Sequence, residues 1–307
     1  MKFAIYQDSR QGGRKYNQDR IAHSYSREAL LMVVADGMGG HYHGEIAAQI
    51  TVEVLVTLFQ KHAHPELENP WQFLRTAIMQ AHQAILGYAN SRGMPETPRT
   101  TCVVAVVQHG IAYWAHVGDS RLYVFRGGSC LHRTTDHSRV QQMVDDGLIT
   151  AEIAETHADR NKIYNCLGSQ MAPMIDLGGK VQIQEHDTLL LCTDGVWGEV
   201  RLPELSQMIS QESIDIALPK IMALAEKNGG EHADNLSAVA INWLGLDDGQ
   251  MMDEGISTLA LSFDDFAGQM PTLEKARILN EADGEVSEED IERAIAEINA
   301  ALKRYQS

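Results

Sequence analysis

Five short turns centred on aspartate constrain what this chain can fold into, because each adjoins an apolar run typical of a β-strand. The turns are Asn17-Gln18-Asp19, Asp36-Gly37-Met38-Gly39-Gly40, Gly118-Asp119-Ser120-Arg121, Thr193-Asp194-Gly195 and Ala233-Asp234-Asn235. One such turn is weak evidence, since Asp-Gly is a common turn former. Several turns at strand ends can instead converge at one end of a sheet core, where their carboxylates would meet.

Converging carboxylates repel one another, and the pKa of each rises unless cations neutralise the cluster. The chain contains neither a CxxC pair nor an HExxH helix, so the available ligands are hard oxygens. Oxygen ligands favour Mg²⁺ or Mn²⁺ over zinc or copper. Gly37 follows Asp36 directly, and a residue without a Cβ leaves its backbone carbonyl open to a metal.

The periodicity of the apolar residues indicates a mixed architecture. Short apolar runs predict strands at 30–35, 101–108, 111–117, 121–125, 188–192 and 237–243. Apolar stripes at helical spacing predict helices at 45–61, 71–90, 138–146, 202–211 and 214–227. Hairpin strands followed by helix pairs indicate an α+β fold rather than a repeating βαβ sheet.

Taken in order, the runs at 13–19, 34–41, 116–121, 191–195 and 234–237 resemble the motif set of the metal-dependent protein phosphatases of the 2C type (PPM), bacterial branch. Thr135-Asp136-His137-Ser138 and Asn165-Cys166-Leu167-Gly168 fit two further segments of that family. Any single motif is weak, but the ordered set is specific. The resemblance covers roughly residues 1–243.

The resemblance implies a four-layer αββα sandwich, in which two antiparallel sheets pack face to face with helices outside. It also implies a centre that binds two Mn²⁺ or Mg²⁺ ions, with a third, weaker ion in bacterial members. The implied roles are Asp36 as the bridge between both metals, the carbonyl of Gly37 on one of them, Asp194 and Asp234 on the second, Asp19 on its water shell, and Asp119 with Asp194 on the third.

The implied activity is hydrolysis of phosphoserine and phosphothreonine in proteins, by in-line attack of a metal-bridging hydroxide and in opposition to a bacterial serine/threonine kinase. Arg14 would bind the phosphate of the substrate, because guanidinium is planar, always charged and matches phosphate oxygens with two donors. His41 is either a general acid for the leaving alkoxide or a residue that merely caps the following helix. The segment 138–167 corresponds to a variable flap beside the active site of the family.

The composition of the chain limits which binding partners and which cellular compartment we expect for it. The formal net charge of −17 disfavours nucleic-acid binding. Cys102, Cys130, Cys166 and Cys192 are scattered, which is typical of small buried hydrophobes in a reducing compartment. The N-terminus lacks the apolar stretch of a signal peptide, and no segment reaches the length of a membrane span. We therefore expect a cytoplasmic protein with neither a membrane nor a nucleic-acid partner.

The chain becomes strongly acidic after the last predicted strand. Residues 247–307 carry fifteen Asp/Glu and five Lys/Arg. Residues 246–252 resemble a linker, a short helix is predicted at 273–279, and Ser287-Glu288-Glu289-Asp290 resembles a capping box that opens a second helix. We therefore expect a catalytic domain at 1–245 and an acidic extension at 246–307. The extension either docks on the domain, serves a partner protein or is a solvated appendage.

Two other functions stay open from the sequence. The first is a regulator that binds phosphoproteins through its C-terminal tail with little turnover. The second is a phosphatase that acts only on small phosphoesters.

Overall fold

The computed structural model describes residues 1–38, 43–246 and 257–261, with side chains described in these ranges except at 155–156 and 257–261. The strands are β1 (Lys2–Arg10), β2 (Arg20–Tyr25), β3 (Ala29–Ala35), β4 (Gly37–Met38), β5 (Arg99–Thr100), β6 (Cys102–Gln108), β7 (Ile111–Val117), β8 (Arg121–Arg126), β9 (Ser129–Arg133), β10 (Asp176–Leu177), β11 (Val181–Gln182), β12 (Thr188–Cys192), β13 (Leu236–Gly245) and β14 (Ser257–Leu261). The helices are α1 (Gly44–His62), α2 (Pro70–Ser91), α3 (Arg139–Asp145), α4 (Ala151–Thr156), α5 (Asp194–Trp197), α6 (Leu202–Gln211) and α7 (Ile214–Gly229).

Two antiparallel sheets form the centre of the fold. The smaller sheet has the strand order β1-β13-β12-β8-β9, and the larger has β10-β7-β6-β3-β2-β14, with β11 also pairing with β7. Helices α1 and α2 cover the outer face of the larger sheet, and α7 covers the outer face of the smaller one. The arrangement confirms the α+β class and the prediction of two antiparallel sheets flanked by helices.

The burial of β3 shows why the layers stack in this way. All seven of its residues are buried, so both faces of the strand are covered. Leu31 and Val33 pack with the helical layer, whereas Leu30, Met32 and Val34 pack with the facing sheet. Alternate side chains of one strand thus supply two separate cores. A third core lies between the smaller sheet and helices α6 and α7.

The register of the larger sheet brings three aspartate turns to one end. Arg20 pairs with Ala35, so the start of β2 and the end of β3 are neighbours. Cys102 pairs with Val117, so the end of β7 lies at this same end of the sheet. The three turns adjoin these strand ends, because Asp19 directly precedes β2, Asp36 directly follows β3 and Asp119 follows β7.

The register of the smaller sheet brings the other two turns to the matching end. Cys192, the last residue of β12, pairs with Ala238 of β13 and with Arg121 of β8. Arg10, the last residue of β1, pairs with Leu236. The turn after β12, the turn before β13 and the loop after β1 therefore lie together.

The predicted elements are present in the described part of the chain. Strands 111–117 and 188–192 and helix 202–211 have the predicted bounds, and the other predicted elements in the described ranges differ at their ends by one or two residues. Strands β1 and β2, the short strands, α4 and α5 were not predicted. The segment 138–167 contains α3 and α4.

Parts of the sequence prediction lie outside the described residues, namely His41, most of the linker at 246–252 and both predicted helices of the extension. Strand β14 belongs to the extension, and it pairs with β2 from Ser257 opposite Tyr25 to Leu261 opposite Ile21. The extension therefore contributes a strand to the larger sheet. The four cysteines are free thiols, as expected. None of the helices in the described ranges is both long and apolar enough to cross a membrane.

Candidate metal centre

The other four aspartates of the predicted turns all act on the ionisation of Asp36, which places the five carboxylates in one cluster. Burial raises the pKa of Asp36 well above its ordinary value, and the charges of Asp19, Asp194, Asp119 and Asp234 raise it further. Burial also raises the pKa of Asp119, and Asp194 supplies the leading charge. We define these five residues as the aspartate cluster. Asp36 and Asp119 tend to hold protons unless cations replace them.

Asp19 is the most enclosed member of the cluster, with only 2% of its surface exposed. Its Oδ2 accepts a hydrogen bond from Thr193 Oγ1 at 3.0 Å, but its Oδ1 is buried and has no hydrogen-bond partner in the part of the chain that the structure describes. Burial raises the pKa of Asp19 to about 7. A buried polar atom without a partner is rare in proteins, and a cation or an ordered water at this position would satisfy it.

Asp194 lies close enough to Asp36 for the two carboxyls to share a hydrogen bond. Burial, followed by the charge of Asp234, raises the pKa of Asp194 to about 6. Two carboxylates that share one proton form a site in which a divalent cation can replace that proton. The donor set, with its hard oxygens and its orphaned Oδ1 of Asp19, therefore fits Mg²⁺ or Mn²⁺.

The backbone around Gly37 explains why a glycine follows Asp36. A Cβ at Gly37 would lie 2.3 Å from the carbonyl oxygen of Gly44 and 2.6 Å from that of Gln18. The start of α1 and the loop before β2 thus press against this residue from two sides. Thr101 holds Asp36 in place, because its N–H donates to the Asp36 carbonyl at 2.9 Å and its Oγ1 accepts from the Asp36 N–H at 3.1 Å.

Arg14 lies at the edge of the aspartate cluster. Its Nη2 donates to Asp234 Oδ2 at 2.6 Å, and this hydrogen bond raises the pKa of Arg14. The side chain is 58% exposed, so the guanidinium also faces solvent. Gly12 has a φ of +60°, and a Cβ there would lie 2.1 Å from the Asp234 carbonyl oxygen, so a side chain at this position would displace the loop that carries Arg14.

Asn235 is a residue whose role the sequence did not reveal. Its Oδ1 accepts from the Gln18 N–H at 2.9 Å, and its Nδ2 donates to the carbonyls of Gln11 and Tyr16 at 2.9 and 3.1 Å. One amide therefore ties the loop of Arg14 to the turn of Asp234. Its place in the Asp-Asn motif was the only available signal.

A second group of ligand-type side chains lies beside the first, and we call it the histidine cluster. It consists of His116, His137 and Asp176, whose candidate ligand atoms lie within 4.8 Å of one another. His137 Nδ1 accepts hydrogen bonds from the Gly118 N–H at 3.1 Å and from the Asn165 amide at 2.8 Å. In the neutral ring the proton is therefore on Nε2, and this nitrogen has no lone pair for a metal.

The side-chain amide of Asn165, which fixes the tautomer of His137, is itself held in place by hydrogen bonds. Asn165 Oδ1 accepts from the Met174 N–H at 3.1 Å, and its Nδ2 donates to the Met174 carbonyl at 2.7 Å. Burial lowers the pKa of His137 to about 4, so the ring is neutral near pH 7. The histidine cluster consequently offers at most two ligands, and the aspartate cluster is the better candidate metal centre.

Comparison with known proteins identifies the family of the chain. The family model described as "Protein phosphatase 2C" matches residues 7–236. Protein phosphatase PhpP of Streptococcus pneumoniae is 33% identical, over 75% of this chain and 92% of its own length. Serine/threonine phosphatase stp of Listeria monocytogenes is 30% identical, over 69% of this chain and 83% of its own length.

Solved structures show the same architecture. Serine/threonine phosphatase Stp1 from Staphylococcus aureus superposes with a TM-score of 0.73 at 29% identity, covering 80% of this chain and 96% of its own. The catalytic domain of serine threonine protein phosphatase PstP, solved in complex with two manganese ions, superposes with a TM-score of 0.67 at 26% identity, covering 79% of this chain and 99% of its own.

Proposed function

This chain belongs to the protein phosphatase 2C family, and we propose that it is a metal-dependent serine/threonine protein phosphatase that hydrolyses phosphoserine and phosphothreonine in proteins. The observation that carries the proposal is the aspartate cluster, which lies where two sheets of the family's fold end together. The charges of its members raise the pKa of Asp36, and a buried oxygen of Asp19 has no partner among the described residues. Such an arrangement is typical of a site that holds divalent cations.

We assign the metal-holding roles as the family resemblance implies. Asp36 would bridge two Mn²⁺ or Mg²⁺ ions, Asp194 and Asp234 would bind one of them, and the Gly37 carbonyl would complete the other. Asp19 would orient coordinated water. The bound cations would supply the Lewis acidity that lowers the pKa of a water molecule to near neutrality. The aspartates would remain ionised because the cations offset their mutual repulsion.

Arg14 is proposed to bind the phosphate of the substrate. Its guanidinium is exposed and lies beside the cluster, so a phosphoryl group placed over the carboxylates would come within its reach. Two parallel N–H groups would fix the orientation of the phosphate oxygens. Asn235 would support this role, because it holds the loop that carries Arg14.

The cellular setting is also a proposal. We infer a phosphorylated protein as substrate, a serine/threonine kinase as the opposing enzyme and the cytoplasm as the compartment. We also propose a domain boundary near residue 245, and β14 of the extension joins the larger sheet across this boundary. An additional partner could bind the acidic extension.

The comparisons do not favour the alternative of a regulator with little turnover, since the relatives described above are phosphatases. A regulator would bind its phosphoprotein partner equally well after the metal is removed. A phosphatase for small phosphoesters would fail to release phosphate from peptides.

The direct test is phosphate release from a phosphothreonine peptide by protein stripped with chelator, with and without added Mn²⁺. We expect turnover that returns with Mn²⁺. Folded protein without turnover at any Mn²⁺ concentration would contradict the proposed function and favour the regulator.

A further inference from the structure

The single helical turn α5 contains both Asp194, at its start, and Trp197, at its end. The indole Nε1 of Trp197 donates a hydrogen bond to the backbone carbonyl oxygen of Asp119 at 3.0 Å. Asp119 and Asp194 are 75 positions apart in the sequence, yet this contact ties the first residue to the helical turn that carries the second. A shift of α5 would therefore move Asp119 with it.

The indole ring is held in place by Arg121. The guanidinium carbon of Arg121 lies 3.5 Å from the centroid of the Trp197 ring, at the distance of a close cation–π stack. Arg121 cannot follow a moving ring easily, because Asp136 accepts two hydrogen bonds from it, at 2.8 and 2.7 Å. Tyr123 Oη accepts a third, at 3.2 Å. The plane of the indole, and with it the direction of its N–H, is thus fixed.

Asp119 is anchored on its other side as well. The N–H of the preceding Gly118 donates to His137 Nδ1 at 3.1 Å, and Gly118 has a φ of +103° that a side chain would strain. The backbone of Asp119 is thereby held at its carbonyl by Trp197 and at its amino side by His137. Only 5% of Asp119 is exposed.

The distance between Asp119 and Asp194 matters because their charges interact. The carbonyl of Asp119 accepts a hydrogen bond from Trp197 of α5, the helical turn that begins at Asp194, so the two aspartates lie on neighbouring turns. Two anions held this close repel unless a cation lies between them. The affinity for that cation depends on how firmly both carboxylates are held, since a free pair would move apart.

We propose that Trp197 is a positioning residue that fixes Asp119 relative to Asp194 and so sets the affinity of the weakest divalent cation of the centre. The proposal rests on the proposed function, because it assumes that the aspartate cluster holds metal. Trp197 would act through the carbonyl of Asp119, to which its indole N–H donates.

The test compares Trp197→Phe, which keeps an aromatic ring over Arg121 but loses the N–H, with the matched control Trp71→Phe. Trp71 lies on α2 and packs edge-on against Tyr113 at 5.4 Å, away from the aspartate cluster. Each protein is titrated with Mn²⁺ by calorimetry, and the Mn²⁺ concentration for half-maximal phosphopeptide hydrolysis is measured in parallel. Melting temperatures establish that the variants are folded.

We expect Trp197→Phe to weaken the lowest-affinity Mn²⁺ site by about threefold to tenfold, as the loss of one buried hydrogen bond predicts. Saturating Mn²⁺ should restore most of the turnover, and Asp119→Asn should act in the same direction with a larger effect. Trp71→Phe should leave the Mn²⁺ titration unchanged. An unchanged weakest site in folded Trp197→Phe would overturn the proposal, as would an equal weakening of every site.

Should Trp197→Phe destabilise the fold, benzothienylalanine at position 197 provides the second probe, because it keeps the bicyclic ring and replaces only the N–H by sulfur. A weakened Mn²⁺ site with this residue would support the role of the N–H, and an unchanged site would refute it. Wild-type protein that binds Mn²⁺ but hydrolyses no phosphopeptide would defeat the proposed function, while the calorimetric comparison would still decide the role of Trp197.

Discussion

The aspartate cluster and the histidine cluster are both groups of metal-ligating side chains, and each has one buried atom without a partner among the described residues, but the charges that meet in them differ. In the aspartate cluster, Asp19 keeps a buried oxygen without a partner among the described residues, and the charges of the four other aspartates raise the pKa of Asp36. In the histidine cluster, backbone and amide donors already occupy the Nδ1 atom of His137, and the unpartnered Nδ1 of His116 belongs to a ring that carries no negative charge.

This difference shows that closeness of ligand-type atoms does not by itself make a metal site. The histidine cluster has the tighter geometry, with ligand atoms within 4.8 Å of one another. However, a donor that faces a ring nitrogen removes a ligand, whereas an unneutralised carboxylate requires a cation. Unsatisfied charge is therefore the better guide to a metal centre in this fold.

The largest expected effect comes from Asp36→Asn, which removes the charge at the middle of the aspartate cluster. Turnover of a phosphothreonine peptide in Mn²⁺ should fall roughly a thousandfold, because several kcal/mol of metal-dependent stabilisation are lost. The fold should survive, since Thr101 holds the backbone of Asp36 rather than its carboxylate.

The matched control for that experiment is Asp215→Asn, which changes an exposed aspartate in the first turn of α7. Its turnover should stay within about twofold of wild type, as expected for a surface substitution. Equal turnover in Asp36→Asn and Asp215→Asn would remove Asp36 from the centre.

An intermediate effect is expected on the pH dependence of stability after metal removal. The folded-state pKa of Asp19 is about 7 and that of Asp194 about 6, both above the ordinary value of 3.8. Raised pKa values mean that the folded state binds these protons more tightly than the unfolded state. Their contribution to stability is therefore complete below about pH 4 and is lost as the pH rises through about 6 to 7.

Thermal unfolding of chelator-treated protein between about pH 5 and pH 8 measures this effect. Buried histidines such as His137, with a pKa of about 4, act in the opposite direction below about pH 6.5. Because both proteins contain the same histidines, the difference in stability between wild type and Asp36→Asn removes the contribution of the histidines. We expect Asp36→Asn to lose less stability than wild type towards alkaline pH, and Mn²⁺ to protect wild type most there. If the stability of the two proteins changed equally with pH, this result would argue against charge repulsion in the aspartate cluster.

The smallest effect is expected from Asp176→Asn in the histidine cluster. Asp176 is exposed on β10, and its loss removes neither a ligand of the aspartate cluster nor a hydrogen bond of His137. The Mn²⁺ concentration for half-maximal turnover should stay within about twofold of wild type. A requirement for much more Mn²⁺ would show that the histidine cluster takes part in metal binding.

Much of the fold could be predicted from the sequence, because β3, β6, β12 and the helices have strong apolar patterns. Strand β2 was missed because it reads Arg-Ile-Ala-His-Ser-Tyr, with polar residues that are nevertheless buried. Arg20 donates to the carbonyls of Asn17 and Asp19, and His23 hydrogen-bonds to Gln7 of the other sheet. Partners of this kind depend on the tertiary structure and leave no periodic signal.

The candidate site also combines residues with a local sequence signal and residues whose partners depend on the tertiary structure. Each aspartate could be predicted, because it lies in a recognisable turn next to a strand. The residues that hold the turns could not, since Asn235 acts on a loop more than two hundred positions away and Trp197 acts on Asp119. Local sequence therefore identifies the charged groups, whereas long-range pairing determines their geometry.

The measurement that tests the central claim most directly is calorimetric titration of Mn²⁺ into wild type, Asp36→Asn and Asp176→Asn after metal removal. We predict tight binding to wild type and Asp176→Asn and the loss of tight binding in Asp36→Asn. Tight binding that survives in Asp36→Asn but disappears in Asp176→Asn would contradict the account and move the metal centre to the histidine cluster.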